Sequence, residues 1–241
     1  MRKIIKIGLM LLSLPITTQA AQIPSPGPGI PKNHYSSSEV FTKLSTINTT
    51  PIGSNIGNNT ASMVNGYLMM TNSFNGGHNT GGLSFWDISN PTNPIQVAEY
   101  DGGDFETIGE SHWYSTIILN NKKYVALPAN GEVAIYDITD VQSVTLASTV
   151  QTNTITGYNN NIWQTVWTPP YIFASARDGG IKVIDASDPL NPTLATTILP
   201  SQMAGINVAP MFVVGNLLVG TALDHQVGFV TLDIADPFNP I

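Results

Sequence analysis

The chain has no cysteine among its 241 residues. Disulfides, thiol nucleophiles and zinc–thiolate centres are excluded. So is a lipid anchor attached through cysteine. Charge is also scarce, with 10% of residues charged and only nine Lys or Arg against sixteen Asp or Glu, for a net charge of -7. An acidic chain with so few cations is a poor match for nucleic acid or an anionic membrane surface. Long stretches at helical spacing are missing beyond the N-terminus. In their place stand 21 Gly and 17 Pro with abundant Asn, Ser and Thr. These residues form helices poorly and turns well, so the composition predicts many short strands. His-Glu-x-x-His, Gly-x-Ser-x-Gly and phosphate-loop sequences are absent too. The glycine pairs at 76–77, 81–82, 102–103 and 179–180 lie between strand-like runs, and none precedes a helix as a phosphate cradle requires.

Residues 1–20 read as a secretory signal. Arg2, Lys3 and Lys6 precede an apolar run from Ile7 to Ile16, and Thr18-Gln19-Ala20 ends in the small residue a signal peptidase needs. The expected cleavage follows Ala20, and there is no twin-Arg pair. The alternative is an N-terminal anchor, but the run is short for a bilayer. Losing the three cations takes the net charge from -7 to -10. Residues 21–34 contain "QIPSPGPGIP", whose alternating Pro and Gly predict an extended tether.

From there the chain repeats itself. Asp87, Asp137, Asp185 and Asp233 end the runs "GLSFWD", "EVAIYD", "IKVID" and "FVTLD", at spacings of 50, 48 and 48. A near-constant period of this size marks stacked units. Apolar residues lie on both faces of each run, so both faces should be covered. Each Asp stands where the run enters a turn, and its carboxylate is expected to accept backbone N–H groups there. Three copies add Pro-x-Asn-Pro, at 91–94, 189–192 and 237–240; the second copy has lost its prolines. Hairpins are expected upstream, with turns at Asn65-Gly66, Asn120-Asn121, Pro169-Pro170 and Gly215-Asn216. "IQVAEYD", "VTLASTV" and "TLATTIL" each supply one strand more.

The unit therefore has four antiparallel strands, which predicts an all-β fold of β-propeller blades with a period near 48 residues. Blades are expected near 61–101, 111–152, 162–200 and 208–241, the last incomplete. "EVFTKLSTI" at 39–47 matches the outermost strand of a blade whose other strands do not precede it. The chain is thus expected to be the front part of a longer propeller. The alternative is that strand 39–47 closes a four-bladed ring.

The pattern Gly-x-x-x-x-Asp-[Ile/Ala]-[Ser/Ala]-[Asn/Asp]-Pro-x-Asn-Pro, clearest in "IKVIDASDPLNPTLATT", resembles the LVIVD repeat. That resemblance covers residues 61–241. It implies an exported, surface-associated propeller and brings no agreed reaction or catalytic residues.

Two constellations could carry chemistry. His112, Asn161 and Asn207 occupy equivalent positions at the start of successive innermost strands, with Asn58 or Asn59 near the same place. In a ring they would circle the mouth of the channel and could bind a ligand, or simply cap strands. The loop 101–112 carries Asp101, Asp104, Glu106 and Glu110 beside His112, and such carboxylates could wrap calcium, though the spacing is not that of an EF-hand. A solvated acidic loop is the plainer alternative. His34, His78 and His225 have no partner at ligand spacing, and Trp86, Trp113, Trp163 and Trp167 are expected in strands between blades. The expected function is a binding or scaffold propeller at the cell surface or in the periplasm, without catalysis or cofactor, calcium apart. Its partner would be a surface or periplasmic ligand or protein, with no nucleic acid and no membrane insertion after cleavage. The alternatives are a metal-dependent hydrolase with its site at the channel and a structural module of a larger surface protein.

Overall fold

A computed structural model describes residues 44–46, 56–74, 81–109, 111–129, 131–152, 162–223 and 226–241. The chain divides into Met1–Lys43 and Leu44–Ile241. The first unit lies outside the described residues, and with it the expected signal and tether.

The second unit is all-β. Blade 1 runs β1 (Ile56–Val64), β2 (Tyr67–Phe74), β3 (Gly82–Asp87) and β4 (Ile95–Asp101). Blade 2 runs β5 (Thr116–Leu119), β6 (Lys122–Ala129), β7 (Glu132–Asp137) and β8 (Thr145–Gln151). Blade 3 runs β9 (Gln164–Thr168), β10 (Tyr171–Ser175), β11 (Ile181–Asp185) and β12 (Thr193–Ile198). The fourth sheet has β13 (Val208–Val214), β14 (Leu217–Ala222) and β15 (Phe229–Asp233). Within each sheet, strands neighbour one another in chain order and pair antiparallel. The first hairpin of every sheet turns at 65–66, 120–121, 169–170 or 215–216. Asn65, Asn120 and Asn121 have positive φ there, a conformation asparagine tolerates better than most residues.

The two apolar faces of blades 2 and 3 belong to different cores. Val125 and Leu127 on β6 pack with Met69, Leu83 and Phe85 of blade 1, while their neighbours Tyr124 and Ala126 pack with Trp167, Ile172 and Ile184 of blade 3. Val166, Phe173, Ile181 and Val183 of blade 3 then meet Met211, Leu218 and Leu232 of the fourth sheet. Period-two alternation thus sends successive side chains into successive inter-blade cores. Each fully buried Val, Leu, Ile or Phe contributes about 1.5–3 kcal/mol, so a middle blade is held from both sides.

A bulge recurs at the same place in three blades. The outer pairing shifts register between Phe85 and Trp86, between Ile135 and Tyr136, and between Val183 and Ile184. The unpaired residues Val97, Ala147 and Ala195 bend each outer strand.

The Asp that ends each third strand turns the chain. Oδ1 of Asp87, Asp137, Asp185 and Asp233 accepts the N–H of the residue two places on, at 2.8–3.0 Å. A second Asx turn follows at once. Asn90, Asp140, Asp188 and Asp236 accept the N–H of Thr92, Gln142, Leu190 and Phe238. Asn191 and Asn239 also donate from Nδ2 to Asp188 and Asp236, at 2.7 and 2.8 Å. The second copy, without prolines, makes the same turn, with Ser143 N–H on the Asp140 carbonyl at 3.0 Å. Asp137 is also met by Lys122 Nζ at 2.8 Å and by the Thr139 hydroxyl at 2.5 Å. In the fourth sheet, Asp233 and Ile241 exchange both backbone bonds, as Asp137 pairs with Thr145.

Asp137→Ala should lower stability by about 1–3 kcal/mol, the range for removing a charged acceptor from its donors. Lys122→Ala should cost far less, because its ammonium is largely exposed. Urea denaturation of both variants checks this. Equal losses would mean that the ion pair, not the turn, is what Asp137 supplies.

Candidate functional site

Hairpin turns and Asx turns occupy one end of each sheet. The starts of the inner strands β5, β9 and β13 lie at the other end. Side chains stitch neighbouring blades together. Thr60 donates to the Ser111 carbonyl, and Thr165 Oγ1 donates to the Ala126 carbonyl at 2.6 Å. The Gln164 amide donates to the Met211 carbonyl and accepts Met211 N–H at 3.1 Å. Trp113 and Gln164 form a parallel bridge, and Arg177 bridges Val208. The rim is therefore fixed by backbone and buried side chains.

On that rim His112 lies flat against Trp163, with ring centroids 4.3 Å apart and planes 4° apart. His112 N–H donates to the Trp163 carbonyl at 3.0 Å, and Trp163 N–H donates to the Ser175 carbonyl at 2.9 Å. The guanidinium carbon of Arg177 is 5.0 Å from the centre of the same indole. Arg177 is 3% exposed and sits at φ 49°. A tight turn holds it there, with Gly179 N–H on the Ala176 carbonyl and Gly180 N–H on the Arg177 carbonyl, at 2.7 and 2.9 Å. Gly180 has φ +77°, and a Cβ there would lie 2.2 Å from the Ile198 carbonyl oxygen, so only glycine fits. An aromatic stack contributes about 0.5–1.5 kcal/mol and a desolvated cation over indole about 2. The three side chains thus form one pre-set cluster. Beside it, Asp178 accepts Asn207 Nδ2–H at 2.6 Å, and Asn207 N–H reaches Gln226 Oε1 at 2.8 Å. Trp113 projects at 50% exposure.

The residues singled out in the sequence are placed as follows. His112 is exposed and stacked; Asn207 is half-buried and bonded to Asp178. Asn161 lies outside the described residues, and the Asn58/Asn59 region is where β1 shifts register. Glu110, His34, His78 and His225 also lie outside them. In the acidic loop the backbone serves the fold. Gly103–Phe105 form a 3-10 turn, the Asp104 carbonyl accepts the Tyr136 hydroxyl at 2.8 Å, and the Glu106 carbonyl accepts Gly81 N–H at 2.8 Å. Phe105 stacks on Tyr136 at 5.1 Å. Asp101, Asp104 and Glu106 are not brought together as a metal cage: among the described residues no three His, Asp or Glu side chains could hold an ion.

The tryptophans divide. Trp86 is buried on blade 1 and Trp167 in the core between blades 2 and 3, but Trp113 and Trp163 stand outside the named strands, at the rim. The expectation of four core tryptophans is corrected, because these two precede the inner strands and escape their period-two packing. Arg177 was not singled out either. Its signal was available: it is the only arginine after Arg2.

The family described as LVIVD repeat matches at residues 77–102 and 170–199. No curated protein matches the chain. Among solved structures, the chain is similar to the C-terminal domain of PilY1 from Pseudomonas aeruginosa, at 15% identity and TM-score 0.47, over 68% of this chain and 42% of that one. It is also similar to two computationally designed proteins. Ika4 matches at 18% identity and TM-score 0.44, over 75% of this chain and 94% of that one. Ika8 matches at 14% identity and TM-score 0.42, over 72% of this chain and 45% of that one. This chain therefore spans less than half of the PilY1 domain and of Ika8. None of these likenesses bears on function.

Trp163→Leu should release His112 from the ring current of the indole. The His112 ring protons are expected upfield in the wild-type NMR spectrum and near ordinary positions in the variant, with the unfolding midpoint lowered by the loss of the stack and of the Arg177 contact. Unshifted protons in the wild type would refute the stack.

Proposed function

We propose, for this chain that matches the LVIVD repeat at residues 77–102 and 170–199, a binding role outside the cytoplasm. The propeller is exported and recognises a surface or periplasmic partner through the rim where its inner strands begin. The observation that carries this reading is the cluster of His112, Trp163 and Arg177 beside exposed Trp113. Tryptophan and arginine are enriched at the centres of binding surfaces, and tryptophan buries a large area with only two rotatable bonds. Here backbone bonds hold the cluster in advance, so little ordering is left for the partner to impose. The basic, apolar, small-residue order of the first twenty residues supports export. The acidic net charge disfavours nucleic acid as the partner.

Purified protein should be screened against secreted proteins and surface glycans of cells that make it. Trp113→Ala is then expected to weaken the ligand found by tenfold or more, the effect of losing an anchor worth about 1.4 kcal/mol or above. The unfolding transition should not move, since Trp113 is half exposed. Undiminished affinity in both Trp113→Ala and His112→Ala would remove the site from this rim.

A further inference from the structure

The turn that departs from the repeat leaves part of its own chemistry unused. In blade 3 and the fourth sheet, the second Asx turn engages both carboxylate oxygens. Oδ1 of Asp188 and Asp236 accepts the N–H two places on, and Oδ2 accepts the Nδ2–H of Asn191 and Asn239 at 2.7 and 2.8 Å. Blade 2 keeps the first bond, from Gln142 N–H to Asp140 Oδ1 at 2.9 Å. In place of the asparagine it has Ser143. The backbone is the same, with Ser143 N–H on the Asp140 carbonyl at 3.0 Å and Asn191 N–H on the Asp188 carbonyl at 3.1 Å. Serine is too short to make the second bond, and no described side chain claims Asp140 Oδ2.

The same turn borders a cleft. Tyr124 and Tyr171 lie across from Asp137 and Asp185, and the Leu68–Trp86 pair puts Tyr67 in the same place beside Asp87. At the last junction, Phe238 of the following Asx turn meets Tyr171 edge to face, with ring centroids 6.0 Å apart. Blade 3 has Leu190 at the position of Phe238, whereas blade 2 has Gln142. Between Gln142 and Tyr67 is a cleft of about 360 Å³, lined also by Asn65, Thr139, Asp140 and Val141. That size falls in the lower part of the range of small-molecule sites, about 300–1,000 Å³. The cleft lies between blades 1 and 2, at the end opposite the rim.

Its walls are fixed from behind. Asn65 Nδ2 donates to the Ile138 carbonyl at 2.9 Å, and Asn65 Oδ1 accepts Lys123 Nζ at 2.9 Å. Tyr67 is half-buried against the core of blades 1 and 2. Among the described residues, the groups left to meet a ligand are Asp140 Oδ2, the Gln142 carboxamide and the Tyr67 hydroxyl. No Lys or Arg lines the cleft, so an anion has no partner there. A simple cation would use the carboxylate and leave the amide and the phenol unused. A neutral polyhydroxyl ligand uses all three. Its hydroxyls donate to the carboxylate and exchange bonds with the amide and the phenol, while an apolar C–H face lies against the tyrosine. A pyranose ring has both features.

We propose that the cleft between blades 1 and 2 is a saccharide-binding site, with Asp140, Gln142 and Tyr67 as its contacts. The proposal is independent of the role given to the rim.

Neutral oligosaccharides of hexoses and of N-acetylhexosamines, titrated into the purified full chain and followed by NMR, should shift the signals of Asp140 and Gln142 saturably. Two variants copy what the other blades do. Ser143→Asn supplies the missing partner to Asp140 Oδ2, and Gln142→Leu places the blade 3 residue at the cleft. Each should weaken binding about tenfold or more, because a bond to a charged group or the ligand's space is lost. Neither should lower the unfolding midpoint, and the rim variant Trp113→Ala should bind as the wild type does. No saturable shift with any of these saccharides would overturn the proposal. So would undiminished affinity in either cleft variant, or loss of affinity in Trp113→Ala. An ammonium compound such as spermidine that shifts these signals where no saccharide does would overturn it too, by making the cleft a cation site.

Discussion

Everything in this fold hangs on a carboxylate that accepts backbone N–H groups two residues further on. Each blade must reverse direction after its third strand, and the reversal must be tight enough to lay an outer strand back along the sheet. Asp87, Asp137, Asp185 and Asp233 begin that reversal, and Asn90, Asp140, Asp188 and Asp236 finish it. Two Asx turns in series leave few backbone donors unsatisfied in the loop. They also set the register of the outer strand, since Asp87, Asp137 and Asp185 pair with Ile95, Thr145 and Thr193. The second copy shows that the prolines are dispensable. Asp140 and Gln142 make the turn without them.

The rigidity of that frame is what the rim cluster depends on. His112 belongs to the approach to blade 2, whereas Trp163 and Arg177 belong to blade 3. Their stack exists only because the blades are locked by the core that joins Tyr124, Ala126 and Ile135 to Trp167, Ile172 and Ile184. Arg177 is held at a left-handed φ by a turn that needs Gly180. Such a conformation costs roughly 1–2 kcal/mol for a side-chain-bearing residue. Strain of this kind concentrates at functional positions, which is consistent with the binding role proposed for this rim.

What was legible in the sequence follows the range of the forces involved. The hairpin turns, the terminal Asp residues and the two-sided apolar strands obey rules that act within a few residues, and each is found where the pattern places it. The bulges at Val97, Ala147 and Ala195 were not legible, because a small residue in an outer strand looks the same whether paired or not. Trp113 and Trp163 were assigned to strands because indole is usually core, yet each precedes an inner strand and answers to the neighbouring blade. His112 on Trp163 is a contact between units, and no single-strand pattern encodes it. Residues in the acidic loop looked like a cation cradle by charge alone; the packing of Phe105 on Tyr136 and the use of the loop carbonyls by Tyr136 and Gly81 could not be read there.

The dependence of stability on acid tests the role of the turns most directly. The Ser89 N–H and hydroxyl hold the Asp87 carboxyl below the ordinary value of 3.8. Asn191 and Leu190 do the same for Asp188, and Asn239 and Phe238 for Asp236. At Asp137, burial pushes upward, but the bonds from Lys122 and Thr139 outweigh it and leave the carboxyl lowered. Groups lowered on folding give stability that is fully present above their unfolded value and disappears as pH falls through their native values. The unfolding free energy, measured by urea titration, should therefore be level from about pH 7 to pH 5 and decline steadily below about pH 4. A free energy that stayed level to about pH 2, or rose as the carboxylates were protonated, would contradict the account.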